Sequence, residues 1–131
     1  MKNLRKKVDA GADLLLSQLF FNNETFYNFV ETSRIAGIDV PITPGIMPAL
    51  KASQINRMVN TCGATLPENF QKIIARFGDN PDAMFDAGLS YALSQIIDLL
   101  AHDVDGIHLY TMNNPIVAKR ICEGVKNIVN V

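Results

Sequence analysis

Asn3-Leu-Arg-Lys-Lys-Val-Asp-Ala-Gly-Ala-Asp-Leu-Leu-Leu-Ser-Gln-Leu-Phe-Phe21 decides the fold class. Residues 2–10 carry basic side chains at helical spacing and stop at Gly11, whose missing Cβ suits the left-handed position after a helix. Residues 13–21 follow as a nearly unbroken apolar run. Such a run predicts a strand buried on both faces, the mark of a parallel sheet covered by helices. One long amide, Gln18, lies near the far end of that strand. Ligands of parallel α/β folds bind outside the carboxyl ends of the strands, so this amide is the first candidate for chemistry.

The same grammar continues outward. Asn22 or Asn23 caps a helix with Phe26, Phe29 and Val30 on one stripe, closed by Gly37. A second strand is predicted over Ile38–Thr43, with Pro44-Gly45-Ile46-Met47-Pro48 as a rigid loop, because proline does not donate to a ladder. Three helices are then expected. The first spans Lys51–Cys62, burying Ala52, Ile55, Val59 and Cys62. The second opens with Pro67 at its first position and buries Phe70, Ile73, Ile74 and Phe77. The third runs from Asn80-Pro81 to Ala101, with Met84, Gly88, Tyr91, Leu99 and Leu100 inward. A last strand, Gly106–Met112, leads through Asn114-Pro115, again a cap and first position, into a helix with Val117, Ile121, Val125 and Ile128 on its stripe. Alternation of this kind implies a parallel sheet. Three parallel strands alone leave two unpaired edges, so residues 1–131 are expected to form a single partial domain of a larger sheet or barrel.

The totals bound the function. A chain of 131 residues with net charge −1 and 19% charged residues has no electrostatic footprint for nucleic acid. No apolar segment approaches the roughly 20 residues of a membrane span, and no signal peptide follows the basic start, so a cytoplasmic protein is expected. Cys62 and Cys122 lack metal-ligand spacing and read as reduced core residues. No metal cluster, phosphate loop or catalytic triad is present. Gln18 shares strand parity with Leu14, Leu16 and Phe20, which places all four on one face. Its amide offers both a donor and an acceptor, matching an amide or pterin edge, or else bonds to neighbouring backbone in a core. Gln54, early in the helix after the proline loop, either reaches over the sheet or is solvated. His108, Tyr110 and Thr111 are equally open.

Five blocks, in order along the chain, resemble methylenetetrahydrofolate reductase: Leu4–Asp13, Ser17-Gln-Leu-Phe-Phe21, Pro41-Ile-Thr-Pro-Gly-Ile-Met-Pro48, Thr61-Cys-Gly-Ala64 and Gly106-Ile-His-Leu-Tyr-Thr-Met-Asn113. The resemblance implies the C-terminal portion of a (β/α)8 TIM barrel, holding its last three strands. It implies an FAD enzyme that reduces 5,10-methylenetetrahydrofolate to 5-methyltetrahydrofolate with NADH or NADPH. Gln18 then matches a glutamine contacting folate and the nicotinamide, and Gln54 a second one facing folate. Asn3, Lys6 and Lys7 match positions near the FAD phosphates and adenosine. Asn114 stands where the family has an arginine on the folate tail, so a charge-assisted contact is lost. Met58 stands where some members carry a stacking aromatic residue. The family's glutamate proton donor belongs to the first half of the barrel. The chain is therefore expected to hold recognition residues and no catalytic residue, to be inactive alone, and to partner either that half-barrel or a second copy. The alternatives are a non-catalytic half-barrel that serves in binding or assembly, and a different TIM-barrel enzyme sharing these strands.

Overall fold

A computed structural model describes residues 1–131. Nine elements follow one another: α1 (Lys2–Asp9), β1 (Leu15–Leu19), α2 (Asn23–Ile35), β2 (Ile42–Ile46), α3 (Ala52–Cys62), α4 (Glu68–Phe77), α5 (Pro81–Ala101), β3 (His108–Leu109) and α6 (Pro115–Val125). The expected order of helices and strands is the observed one. The three strands form one sheet, β1-β2-β3, parallel throughout. This is an α/β architecture of three parallel strands and six helices, consistent with a partial barrel.

The punctuation works largely as its chemistry dictates. Asn22, Asn80 and Asn114 each cap a helix, their side-chain oxygens accepting from Glu24, Ala83 and Ile116 backbone N–H groups. Gly11, Gly37 and Gly63 all adopt positive φ after helices. Pro67 departs from expectation, standing at the cap of α4 with extended backbone and not at its first helical position.

Helices cover one face of the sheet. Phe20, Phe26, Ile42, Ile46, Leu89, Ile96, Val117 and Ile121 form the larger core between the sheet and α2, α5 and α6. A second core, with Leu19, Phe21, Met47, Ile55, Phe70 and Met84, closes the carboxyl end of the strands under α3, α4 and the start of α5. The other face is not covered along β1: Leu14 and Leu16 are each 52% exposed. The expected burial of this strand on both faces is thus corrected. An apolar run reports the surroundings a strand is suited to, and here helices lie on one side only.

The strand bounds also change. β2 runs through Pro44 and does not stop before it. Proline is tolerated because the ladder is irregular there: the register with β1 shifts between Leu16 and Leu19, and pairing with β3 begins only at Gly45. β3 is two residues long, not seven: only His108 and Leu109 find partners, Gly45 and Ile46 at the end of β2, and the chain turns into the left-handed region at Met112 and Asn113. Phe77 and Cys122 are exposed where burial was expected, and Ile128 lies beyond the end of α6 and is exposed.

Candidate functional site

The three parallel strands place Gln18, Gln54 and Asn114 beyond or at the same edge of the sheet, each at or after one strand's carboxyl end. There the likeness between them stops. Gln18 is exposed and lines a cleft of about 350 Å³, with Leu16, Asn22, Phe29, Cys62 and Thr65 among its walls. Its Oε1 accepts from the Leu19 N–H at 3.0 Å, so both hydrogens of its Nε2 are left for the cleft. Gln54 is half-buried on α3, and its Oε1 accepts from the Leu50 N–H at 3.4 Å, outside that cleft. Asn114 is occupied as the cap of α6, accepting from Ile116 and Val117.

The shared face expected for Leu14, Leu16, Gln18 and Phe20 is broken by the bulge at 17–18. Leu14 and Leu16 stay exposed, whereas Phe20 is buried and stacks on Phe26 with ring centroids 5.3 Å apart. An extra residue in one strand exchanges the faces of everything after it.

Asn3, Lys6 and Lys7 lie exposed on α1, and neither lysine forms an ion pair. Helix α1 is fastened to the carboxyl end of α2, where Arg5 Nη1 donates to the Ala36 carbonyl. The cleft touches the opposite end of α2, at Thr25, Phe26 and Phe29. Thr25 and Ala36, the cap of α2, are eleven steps apart, about 16 Å at 1.5 Å a step. Asn3, Lys6 and Lys7 are not among the residues that line the cleft at Gln18. His108 sits edge-on to Tyr110, with centroids 4.6 Å apart, and does not line the cleft. No group of three or more potential metal ligands occurs, and no helix is long and apolar enough to cross a membrane.

A polar network missed in the sequence grips the end of β1 from behind. Buried Gln95 on α5 donates through Nε2 to the Phe20 carbonyl at 3.2 Å and to Asn23 Oδ1 at 3.1 Å. Asn23 Nδ2 donates to the Gln95 carbonyl and to Asp98 Oδ2, while Tyr91 donates to the Phe21 carbonyl at 2.6 Å. Tyr27 also donates to Asp98 Oδ2, at 2.7 Å. A signal existed: residue 95 continues the inward stripe of 84, 88, 91 and 99, where an amide stands out among apolar neighbours.

Hydrogen bonds from Asn23 and Tyr27 hold the Asp98 carboxyl below its ordinary range, and burial together with Asp98 pushes the Tyr27 hydroxyl up. A depressed carboxyl stabilises the fold above its unfolded value and loses that contribution as pH falls through its folded value. A raised tyrosine stabilises below its unfolded value and loses it as pH climbs past about 10. The melting temperature is expected to drop below about pH 4 in part through Asp98, and the acid limb should be shallower in Asp98→Asn. Equal acid limbs in thermal melts of the two proteins would exclude this contribution.

The sequence pattern of the family described as "Methylenetetrahydrofolate reductase" matches residues 1–126. The chain belongs to the methylenetetrahydrofolate reductase family. It is 39% identical over 110 residues to the Arabidopsis thaliana protein named "Methylenetetrahydrofolate reductase (NADH) 1", covering 84% of this chain and 19% of that one. Over 123 residues it is 32% identical to "Methylenetetrahydrofolate reductase 1" of Schizosaccharomyces pombe, covering 94% of this chain and 20% of the relative. Against the Escherichia coli (strain K12) "5,10-methylenetetrahydrofolate reductase" it is 30% identical over 120 residues, 92% of this chain and 40% of that protein. The matched region thus spans well under half the length of these methylenetetrahydrofolate reductases. The cleft at Gln18 is lined by residues of two of the blocks that carry the resemblance, all of 17–21 and Cys62, Gly63 and Ala64 of 61–64.

Proposed function

We propose that this chain is the folate-recognising, C-terminal portion of a (β/α)8 barrel that reduces 5,10-methylenetetrahydrofolate to 5-methyltetrahydrofolate, with FAD as cofactor and NADH as electron donor. Family membership supports the reaction, and the plant relative's name supports NADH over NADPH. The observation that carries the reading is Gln18, an exposed amide at a strand's carboxyl end, with its two Nε2 hydrogens open to a cleft. Such a group orients an acceptor on a flat heterocycle or a carboxamide.

The residues of α1 fit FAD in chemistry. Lys6 and Lys7 are free ammonium groups and Asn3 a free amide, a set suited to a pyrophosphate and an adenosine. When bound, FAD supplies the ring that carries the hydride. This chain's residues bind and orient. No carboxyl or imidazole group lines the cleft, so its role there is recognition without proton transfer, and the isolated chain is expected to show no NADH oxidation with folate. Asn114 spends its side-chain oxygen on α6 and offers a folate tail no charge.

Calorimetric titration with 5-methyltetrahydrofolate tests the reading. Binding is expected in the micromolar to millimolar range, with Gln18→Ala weakening it about tenfold, roughly 1.4 kcal/mol. No binding by the unaltered chain at millimolar ligand overturns the folate assignment. Lys6→Ala combined with Lys7→Ala should separately abolish any shift of the flavin spectrum on mixing with FAD.

The uncovered face favours a second role beside the first. β1 is an outer strand, and Leu14 just before it and Leu16 within it are half exposed. That surface suits a further half-barrel or another copy of this chain, and sedimentation of the purified chain distinguishes a dimer from a monomer.

A further inference from the structure

We propose that Ser17 is a positioning residue whose hydroxyl, inserted into the β1–β2 ladder, builds the bulge that aims Gln18 into the cleft. The inference deepens the folate reading and rests on it for the ligand, though not for the geometry. Ser17 Oγ accepts from the Gly45 N–H of β2 at 2.9 Å and donates to the Gln18 carbonyl at 3.0 Å. A side chain thus takes a strand amide that a regular ladder gives to a carbonyl. The register confirms the disturbance: Leu16 faces Thr43 and Leu19 faces Gly45, three steps along β1 against two along β2.

The consequence falls on one peptide unit, that joining Gln18 to Leu19. Ser17 Oγ holds its carbonyl and Gln18 Oε1 holds its N–H. With both ends of the plane fixed by side chains, the Gln18 amide has one orientation. Its oxygen must face the Leu19 donor, and its nitrogen faces away. The donor side is then the one presented to a ligand, whose matching atom is an acceptor such as a ring carbonyl.

Tyr110, the residue after β3, braces the bulge. Tyr110 lies across β2 and donates to the Ser17 carbonyl at 3.3 Å. It crosses where residue 45 has no side chain: a Cβ there would stand 2.7 Å from Tyr110 Cε2 and 2.8 Å from the Ser17 oxygen. One serine therefore bonds both to β2 and to the residue that follows β3, and glycine at 45 leaves room for this.

Amide hydrogen exchange by NMR on the whole chain tests this without any ligand. In folded Ser17→Ala, the Leu19 and Gly45 amides should exchange at least tenfold faster while those of α5 keep their rates. The two Gln18 Nε2 hydrogens should also move to the pair of shifts of a solvated glutamine side chain. Ser17→Thr, which keeps the hydroxyl, should restore both signatures. Should Ser17→Ala fail to fold, Ser17→Cys, of similar size and with a weakly accepting sulfur, is expected to show the same loss. Leu19 and Gly45 protection within twofold of wild type in either folded variant, or no rescue by threonine, overturns the proposal. Titration with 5-methyltetrahydrofolate separates the two levels. Absence of binding by the unaltered chain sinks the folate reading alone, whereas equal affinity in folded Ser17→Ala and a binding wild type overturns the positioning role.

Discussion

Gly88→Ala is expected to lower the folding free energy by about 3 kcal/mol, at the upper end of what overpacking a well-filled interior costs. A Cβ at this position of α5 would run into the Ala49 carbonyl oxygen and stand 3.0 Å from the carbonyl carbon. Both are backbone atoms in the connection after β2, where Ala49 itself is buried. No side chain is available to swing aside, so the helix or the strand end must move. Helix propensity pulls the other way, since alanine is better than glycine in a helix interior by about 1 kcal/mol. The clash wins because the neighbours on either side of Gly88, Met84 and Leu89, are buried and fix the seat of the helix.

Gly124 of α6 supplies the contrast. A Cβ there meets Leu93 Cδ2 at 2.8 Å, the flexible end of a side chain. The propensity gain and a small repacking cost should then nearly cancel, leaving Gly124→Ala within about 1 kcal/mol of wild type. Chemical denaturation of the two variants decides the matter. Equal stabilities would mean that the close approach of α5 to the end of β2 is not a constraint on this fold.

What the sequence made legible was set by local chemistry. Caps at Asn22, Asn80 and Asn114, glycine stops at 11, 37 and 63, and the apolar stripes of the helices all act within a few residues, and all nine elements appear in the expected order. The errors lie where a distant neighbour decides. Pro44 joins a central strand because the ladder on either side of it is irregular, which its own surroundings do not announce. Leu14 and Leu16 read as buried because their composition suits burial, yet the covering layer lies on the other face. For the site, strand position brought Gln18 into view, and the resemblance carried Gln54, Asn114 and the lysines of α1. Ser17 went unnoticed in that role because a serine inside a strand has no distinctive spacing. Its part depends on a register shift and on Tyr110, 93 residues away.

Gln95→Leu is expected to cost about 2–3 kcal/mol, although leucine is apolar and of similar volume and suits a buried helix position. The loss comes from what is left behind. In the native chain no buried side-chain nitrogen or oxygen lacks a partner. Leucine at 95 takes the Nε2 donor from the Phe20 carbonyl and from Asn23 Oδ1, and an orphaned buried acceptor costs about 1–3 kcal/mol, more than a made hydrogen bond contributes. Asn23 keeps its bond to Asp98, so the damage should be less than additive with Asn23→Ala. A double-mutant cycle should therefore show a coupling of about 1 kcal/mol or more between the two positions, and additive losses would disprove the shared network. The effect reaches the site through the chain itself. Phe20 and Phe21 are the residues by which α5 holds the end of β1, through Gln95 and Tyr91, and Gln18 lies two residues before the first of those grips. Loosening at Gln95 should consequently raise amide exchange from Leu19 to Asn23 by more than it raises exchange in α6. Uniform acceleration across the chain would instead mark a plain loss of global stability, with α5 playing no particular part in fixing the recognition edge.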